Sequence, residues 1–548
     1  MFYSIVRSVE SYSMQINNYS FYNKPNFGQS LLNTMSSKNS SNSPQAVPQN
    51  GETRVKHLYA NDLHGYMYGF RKLKSAIDEF KAVNPDGEVF LSGDDWVGAF
   101  EKKNEAILRI MNLMKPTAVT MGNHNFDNKG SLGVSKMLDN ATFKTLALNI
   151  VPSEEAIKTG SYALQDDIDA GRLAKSEIIE KDGQKFGYIG LVPSDMRARL
   201  SQQSQDFAKD MKVLDLKETE AALQKEVDKL EAQGVNKITL ISHMGLDADK
   251  YIAQNVNGID IIHGGHSHHI LKGLVPGENY FTSKRGEPVI ITQAGKNGHN
   301  FGELDVVFDN KTGTITKAKN EIKDLSIYPD SLAVRTVENI FLGKPEVIGE
   351  IAQDVKALPE AVLKESPLCS FLADGYRKYT GADIVLNNAG TMRLSLSRGP
   401  ITDRRIIDMM PYYNDVYTFK MSEKDIIDVL NSAVQATRKF NRTGALQVSG
   451  MKYTIGKDDK VKDVYLLKDD GSQEKMDWTN PSPNKFYTVA YNSFLAGGSE
   501  GVESLKAPEK MIKKFDKTET DILIDYIKSF NGKPILIEPD GRIMHEGE

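Results

Sequence analysis

The chain has 548 residues, more than one hydrophobic core usually encloses, and its 40% hydrophobic content is enough to build two. A formal net charge of −5 excludes a nucleic-acid polymer as principal partner, because holding a phosphate backbone needs clustered Lys and Arg. One cysteine, Cys369, excludes an internal disulfide framework and reads as core.

Residues 1–54 are rich in Ser, Asn, Gln and Tyr and contain no apolar run long enough for a signal-peptide core or a membrane helix. They read as a disordered tail, and on sequence alone they place the protein in the cytoplasm. Next come short apolar runs that read as buried strands, each ending in candidate metal ligands. Val55 to Ala60 leads to Asp62 and His64, and Val89 to Ser92 leads to Asp94. Ala118 to Met121 leads to Gly122-Asn123-His124-Asn125-Phe126-Asp127. Leu216, Leu223, Val227 and Leu230 recur at helical spacing within the charged run Met211 to Gln233, so that run is expected to be a helix ended by Gly234. Lys237 to Ile241 leads to His243, and Ile259 to His263 leads to Gly264-Gly265-His266-Ser267-His268-His269. Strands alternating with helices make this half α/β, with the ligands gathered along one sheet edge.

The residue types fit one chemistry. Two divalent ions close together need a carboxylate between them and neutral imidazoles to limit the charge, and Asp94 is the natural bridge. Such ions lie about 3.5 to 4 Å apart and supply hydroxide near neutral pH. Asn123 can ligate through its amide oxygen while His124 faces the substrate, oriented by Asp127. A charged His124 would steady a phosphoryl group or protonate a leaving alkoxide. Taken singly, Asp62 and Asp94 would be helix caps and His243 a core histidine, but the ordered set favours metals. His57, His263, His299 and His545 read as structural or surface positions, and His269 is undecided.

The acidic and apolar mixture from Lys323 to Leu358 reads as a connecting helix, assigned to 326–355. Beyond it, the apolar run Ile384 to Leu386 precedes Asn387-Asn388-Ala389-Gly390-Thr391-Met392-Arg393. Two more motifs follow: Pro411-Tyr412-Tyr413-Asn414, and Asn492-Ser493-Phe494-Leu495-Ala496-Gly497-Gly498-Ser499-Glu500-Gly501. The stretch Gln447-Val448-Ser449-Gly450 reads as structural.

In order and type these motifs resemble the 5′-nucleotidase family, whose members include UDP-sugar hydrolases and 2′,3′-cyclic-nucleotide phosphodiesterases. The resemblance implies an α/β fold: an N-terminal metallophosphoesterase β-sandwich flanked by helices over 55–325, the linker helix, and a second α/β (α+β) nucleotide-binding domain over 356–548. It implies that Asp62, His64, Asp94 and His268 hold one metal, and Asp94, Asn123, His243 and His266 the other; by their chemistry, imidazole and carboxylate ligands suit two divalent ions of zinc, manganese or cobalt. His124 and Asp127 match the family's catalytic pair. Asn388 and Arg393 match positions that contact substrate, Tyr412 and Phe494 the rings that sandwich a base, Glu500 a ribose-binding acid, and Lys364 a position that is Arg in relatives. Asn125 stands where the family has Glu, and Ala389 where it has Gly.

The expected activity is hydrolysis of nucleoside 5′-monophosphates by a metal-held hydroxide, with a nucleotide substrate as partner and no transmembrane segment. UDP-sugar diphosphatase or cyclic phosphodiesterase activity on the same site is the first alternative; a thiosulfate-ester hydrolase or a silent nucleotide-binding protein is the second. Relatives of this kind are often exported, which stands against the cytoplasmic reading of the first residues.

Overall fold

A computed structural model describes residues 51–547, apart from 99, 201, 360, 441–443 and 499–500. Residues 1–50, most of the expected tail, lie outside this range, as does Glu500. The tail boundary moves, because Glu52, Thr53 and Arg54 already belong to the first strand, Glu52–Ala60. They pair with Asp309, Phe308 and Val307, and Arg54 Nε donates to Asp305 at 2.6 Å. Backbone pairing and an ion pair recruit these polar residues where hydropathy gives no signal.

The first half is two facing sheets. A seven-stranded sheet runs Ile315–Asp324, Asn300–Asp309, Glu52–Ala60, Glu88–Ser92, Ala118–Thr120, Thr145–Leu146, Leu173–Ala174. A six-stranded sheet runs Tyr280–Thr282, Pro288–Thr292, Ile261–His263, Ile238–Ser242, Gln184–Leu191, Ser176–Lys181. Tyr59, Phe90, Tyr188, Ile241, Ile261 and Ile290, drawn from both sheets, share one buried cluster. Helices cover the outer faces. Met67–Val83 and Glu101–Met114 lie on one side and Leu216–Glu231 and Leu246–Asn255 on the other, each burying an apolar face.

Direction of the strands matters more than their number. Glu52–Ala60, Glu88–Ser92 and Ala118–Thr120 are parallel neighbours, as are Ile238–Ser242 and Ile261–His263. Their C-terminal ends therefore open on the same side of each sheet, the usual place for a site in parallel α/β folds.

Two expected helices are shorter. Within Met211–Gln233 the first residues form the strand Met211–Val213, and the helix begins only at Leu216. Asp215 sets that start: its carboxylate accepts the N–H groups of Lys217 and Glu218, and Glu218 reaches back to the Asp215 N–H at 3.0 Å. Within 326–355 the helix is Leu332–Leu342, and the strand Val347–Ile351 follows, pairing with Gly399–Thr402. Val334 and Val337 of that helix are buried in the core of the first half.

The second half centres on a five-stranded sheet, Gln447–Ser449, Ile384–Asn387, Phe486–Asn492, Asp415–Ser422, Met511–Thr518, beside a four-stranded one. Helices Pro367–Thr380 and Glu423–Phe440 pack on it. Cys369 is buried in the first of these, and burial pushes its thiol up to about 11. Among the described residues, no helix is long and apolar enough to cross a membrane.

Candidate active site

Six of the seven expected ligands, all but Asn123, converge in one cluster. His64 Nε2 lies 3.7 Å from Asp62 Oδ1 and 3.6 Å from Asp94 Oδ2, and His268 Nε2 lies 3.2 Å from Asp62 Oδ1. His243 Nε2 lies 3.2 Å from Asp94 Oδ2 and 3.6 Å from Asp62 Oδ1. Asp94, His243 and His266 form a second group of converging donors. Asp94 thus stands between His64 on one side and His243 on the other. Asn123 opens a short 3-10 turn after Ala118–Thr120, in the same strand-end loop.

Backbone strain marks the site. Asp62, His64, Asp94, His266 and His268 all adopt left-handed φ, between 49° and 70°. L-residues avoid this region, and a clustering of such residues is characteristic of functional loops. The sharp reversals aim successive ligands back over the strand ends.

A fixed shell orients the ligands. Asn297 Oδ1 meets His64 Nδ1 at 2.9 Å, and Ser92 O meets His243 Nδ1, so in each ring Nε2 is the nitrogen left for a metal. Asp62 Oδ2 accepts from Asn61 Nδ2 at 2.7 Å and the His266 N–H at 2.9 Å. Gln293 braces the histidine loop, donating to Gly265 O at 2.8 Å and accepting the His269 N–H at 2.6 Å. Among the described residues, Asp62 Oδ1, Asn123 Oδ1 and His243 Nε2 are buried with no hydrogen-bond partner. Buried polar atoms of this kind are costly to leave bare, so together with the carboxylate and imidazole chemistry they fit divalent cations.

The charges respond to this crowding. Burial alone would raise Asp62, but the rings of His243, His268 and His64 hold its carboxyl down at about 2. Burial opposes the charge on His243, yet Asp94 and Asp62 lift it to about 9. Burial and the charge on His243 push His266 down to about 4.

His124 Nδ1 sits 2.8 Å from Asp127 Oδ2, which also accepts the Gly98 N–H at 3.0 Å. The His124 N–H donates to Asp94 Oδ1 at 2.8 Å. Burial opposes the charge on the ring, but Tyr412, Asp127 and Asp94 hold it protonated well above the ordinary range. Asn125 has a backbone task, its Oδ1 accepting the N–H groups of Asp94 at 3.0 Å and Gly122 at 2.7 Å.

The second half reaches into this site. Tyr412 lies against His124, and Arg393 lies over the Tyr412 ring at 5.2 Å with a 3.2 Å contact from Nη2 to the phenol oxygen. His64, Asn297, Arg393 and Tyr412 line one cleft between the halves. Gly98 allows this approach: its φ is 67°, and a Cβ there would meet the Pro411 carbonyl oxygen and the Tyr412 Cα at 2.7 Å. Phe100 stacks on Tyr413 at 4.1 Å across the same seam.

Asn388 and Phe494 follow the parallel strands Ile384–Asn387 and Phe486–Asn492, so their loops are neighbours, joined by a 3.2 Å contact from Asn492 Nδ2 to Asn388 Oδ1. Phe494 is half-buried against the domain core. The Lys364 side chain is exposed, and its carbonyl accepts from Gln447 Nε2 at 3.1 Å. Sequence reasoning missed Glu519, which is buried and ties a strand end, a loop and a helix together by binding Asn492 Nδ2 at 3.1 Å, Asn414 Nδ2 at 2.9 Å and Tyr376 Oη at 2.7 Å. It lies in no motif. Its only sequence signal is a place at the start of an amphipathic helix.

The histidines read as structural behave so. His57 and His263 are buried 2.9 Å apart, with His57 Nε2 3.0 Å from Glu88. His545 donates to Leu363 O at 2.5 Å, and His299 is exposed. His269 Nδ1 meets Ser267 Oγ at 2.9 Å on the outer side of the loop.

Comparison with known proteins agrees with this architecture. Residues 56–269 match the calcineurin-like phosphoesterase model, and residues 347–507 match the 5′-nucleotidase C-terminal domain model. The trifunctional nucleotide phosphoesterase protein YfkN of Bacillus subtilis is 27% identical over 504 residues, covering 83% of this chain and 32% of that protein. The chain thus spans about a third of that relative. A protein named "Probable 5′-nucleotidase" from Treponema pallidum is 26% identical, covering 80% of this chain and 82% of its own. The crystal structure of a 5′-nucleotidase precursor from Thermus thermophilus superposes with a TM-score of 0.68 at 24% identity, covering 90% of this chain and 100% of its own. A calcineurin-like phosphoesterase domain in which candidate metal ligands converge, followed by a 5′-nucleotidase C-terminal domain, gives the chain the two-domain plan of a phosphoric ester hydrolase.

Proposed function

We propose that this protein hydrolyses nucleoside 5′-monophosphates to nucleoside and phosphate, with two divalent ions in its site. The observation that carries this reading is the meeting of His124 and Tyr412: a protonated imidazole beside the metal ligands touches an aromatic ring from the other half. Asp62, His64, Asp94 and His268 would hold one ion, and Asp94, Asn123, His243 and His266 the other. Zinc, manganese and cobalt suit these imidazole and carboxylate donors. When bound, such ions supply Lewis acidity and a water of lowered pKa.

His124 donates a hydrogen bond, and finally its proton, to the oxygen that leaves with the nucleoside. Asp127 orients the ring and favours its charged form. Arg393 offers a guanidinium to the phosphoryl oxygens, where charge-assisted hydrogen bonds are strongest. Tyr412 and Phe494 take the base between them, and Asn388 and Lys364 belong to the same substrate surface. Glu500, outside the described residues, remains the proposed ribose ligand. The Thermus relative is described as a precursor, which supports a place of action outside the cytoplasm.

Phosphate release from AMP by the purified full chain tests the reading, with added Mn²⁺ and with chelator. Release that chelator abolishes is expected. Folded protein that cleaves a UDP-sugar to UMP and a sugar 1-phosphate, or opens a 2′,3′-cyclic nucleotide to the 3′-monophosphate, but releases no phosphate from AMP, would move the assignment to those substrates of the same site.

A further inference from the structure

The turn that holds Gly98 and Phe100, just before the helix Glu101–Met114, touches both sides of the meeting between His124 and Tyr412. On one side it holds the pair of His124 and Asp127. The Gly98 N–H donates to Asp127 Oδ2 at 3.0 Å, and the same oxygen meets His124 Nδ1 at 2.8 Å. Asn104, which is buried, fixes the turn to its own helix by donating from Nδ2 to the Gly98 carbonyl at 2.9 Å. On the other side the turn meets the second half. Gly98 lies so close to the Pro411 carbonyl and the Tyr412 Cα that only a glycine fits there. The ring of Phe100 stacks on that of Tyr413, with centroids 4.1 Å apart and planes 17° from parallel.

Tyr413 adopts a backbone that its residue type avoids. Its φ is 55°, in the left-handed region, where an L side chain crowds its own backbone. Such a conformation in a bulky residue persists only where its surroundings impose it. Here both flanks are fixed. Pro411 is buried with its φ set by its own ring, and Asn414 exchanges two hydrogen bonds of 2.9 Å with the buried Glu519, one through its amide and one through its carbonyl. In an extended chain successive side chains point to opposite faces, so only one of two adjacent rings could meet the first half. The left-handed residue breaks that alternation. Tyr412 reaches His124 while Tyr413 reaches Phe100.

We propose that Phe100 and Tyr413 are positioning residues, a stack across the seam that sets the place of Tyr412 relative to His124 and so the fit of the nucleobase. The proposal rests on the nucleotidase reading above for the base that Tyr412 receives. Each ring acts through a neighbour: Phe100 through the turn whose Gly98 N–H holds Asp127, and Tyr413 through its peptide bond to Tyr412. A stacked aromatic pair resists sliding as well as separation, because its attraction needs ring overlap. Glycine at position 413 would take the same backbone without strain but would supply no ring. That contrast separates the positioning role from a merely structural one.

Amide hydrogen exchange of the full chain without substrate tests the stack, and AMP kinetics test what it does. Phe100→Ala should speed exchange at residues 412–414, in the other half, by about 2- to 12-fold, the usual worth of an aromatic pair. With AMP, Phe100→Ala and Tyr413→Gly should each raise KM by a similar factor with a smaller change in kcat. The double variant should be no worse than either single one, because the same stack is lost in all three. Tyr413→Gly should melt within about 4 °C of the wild type, since glycine relieves the left-handed φ as it removes the ring. Tyr413→Phe, which keeps the ring, should retain the wild-type KM. Exchange at 412–414 that Phe100→Ala leaves unchanged would overturn the proposal, as would additive losses in the double variant or a wild-type KM in Tyr413→Gly. Faster exchange across the seam in Phe100→Ala, in a protein that does not hydrolyse AMP, would support the stack while overturning the nucleotidase reading.

Discussion

The ring of Tyr412 lies 5.6 Å from that of His124, at an interplanar angle of 51°, although the two residues belong to different halves of the chain. The seam that holds them there is built for contact. Lys103 is buried and donates to the Ile407 carbonyl at 3.3 Å, and Glu338 accepts from Arg71 at 2.8 Å and Arg404 at 3.4 Å. The site is therefore a product of two halves, and its predictions separate what each contributes.

If Tyr412 stacks on the base, Tyr412→Ala should raise KM for AMP by about 5- to 150-fold, the equivalent of about 1–3 kcal/mol of stacking. A small aryl phosphate, which has no nucleobase, should be hydrolysed with little change. Equal losses on both substrates would remove the base-stacking role.

His124→Ala should lower kcat by about 10²- to 10⁴-fold with metal content unchanged. Asp127→Asn should cost less, because it leaves the imidazole in place while weakening its orientation. Metal analysis of the purified variants decides this one, since loss of an ion from His124→Ala would reassign the residue as a ligand.

Asp94 contacts histidines of both ligand sets, so Asp94→Asn should lower metal content as well as turnover, the latter by about 10²-fold or more. Elemental analysis alongside phosphate release checks it. Full metal content with full activity would exclude Asp94 as a bridge.

Glu519 binds Asn414, Asn492 and Tyr376 directly and reaches Asn388 through Asn492. Glu519→Ala removes an acceptor from the buried Tyr376 hydroxyl and from the Asn414 and Asn492 amides, at about 1–3 kcal/mol for a buried group left unsatisfied, and should lower Tm while raising KM for AMP. Glu519→Gln keeps one acceptor and should fall between. Unchanged melting in Glu519→Ala would contradict this hub.

Asp260 is buried and accepts the Ile238 N–H at 2.7 Å, and burial pushes its carboxyl well above the ordinary range. The folded state thus keeps a proton that the unfolded chain releases near about pH 3.9, so stability from this group is full below that pH and is lost as pH rises. Asp260→Asn keeps an acceptor for Ile238 and does not ionise. Its melting advantage over the wild type should be larger at about pH 8 than at about pH 4. An equal difference at both values would refute the assignment.

Much of this protein is legible in its residues one after another. Apolar runs of four to six residues that end in Asp, Asn or His already specify strands with ligands at their ends, because a buried strand must be apolar and a ligand must follow it at the sheet edge. The pairing of His124 with Asp127 is equally local, since three residues bring both side chains to one side of a helical turn. The helix start at Leu216 is local too, although the longer charged run around it masks the capping Asp215 and Glu218.

What tertiary structure alone decided is which distant groups share a space. Lys296 and Arg393 are far apart in the chain and carry no periodic signal, yet they line one cleft. Glu519 looks like an ordinary helix-start acid until Tyr376, Asn414 and Asn492 converge on it. The left-handed backbone at Asp62, His64, Asp94, His266 and His268 is equally hidden, because no propensity of Asp or His predicts a strained φ at all five. Local sequence dictates element type through hydropathy and capping, which act over a few residues. Proximity between the ends of different strands, and between the two halves, comes from packing, whose contacts no spacing along the chain encodes.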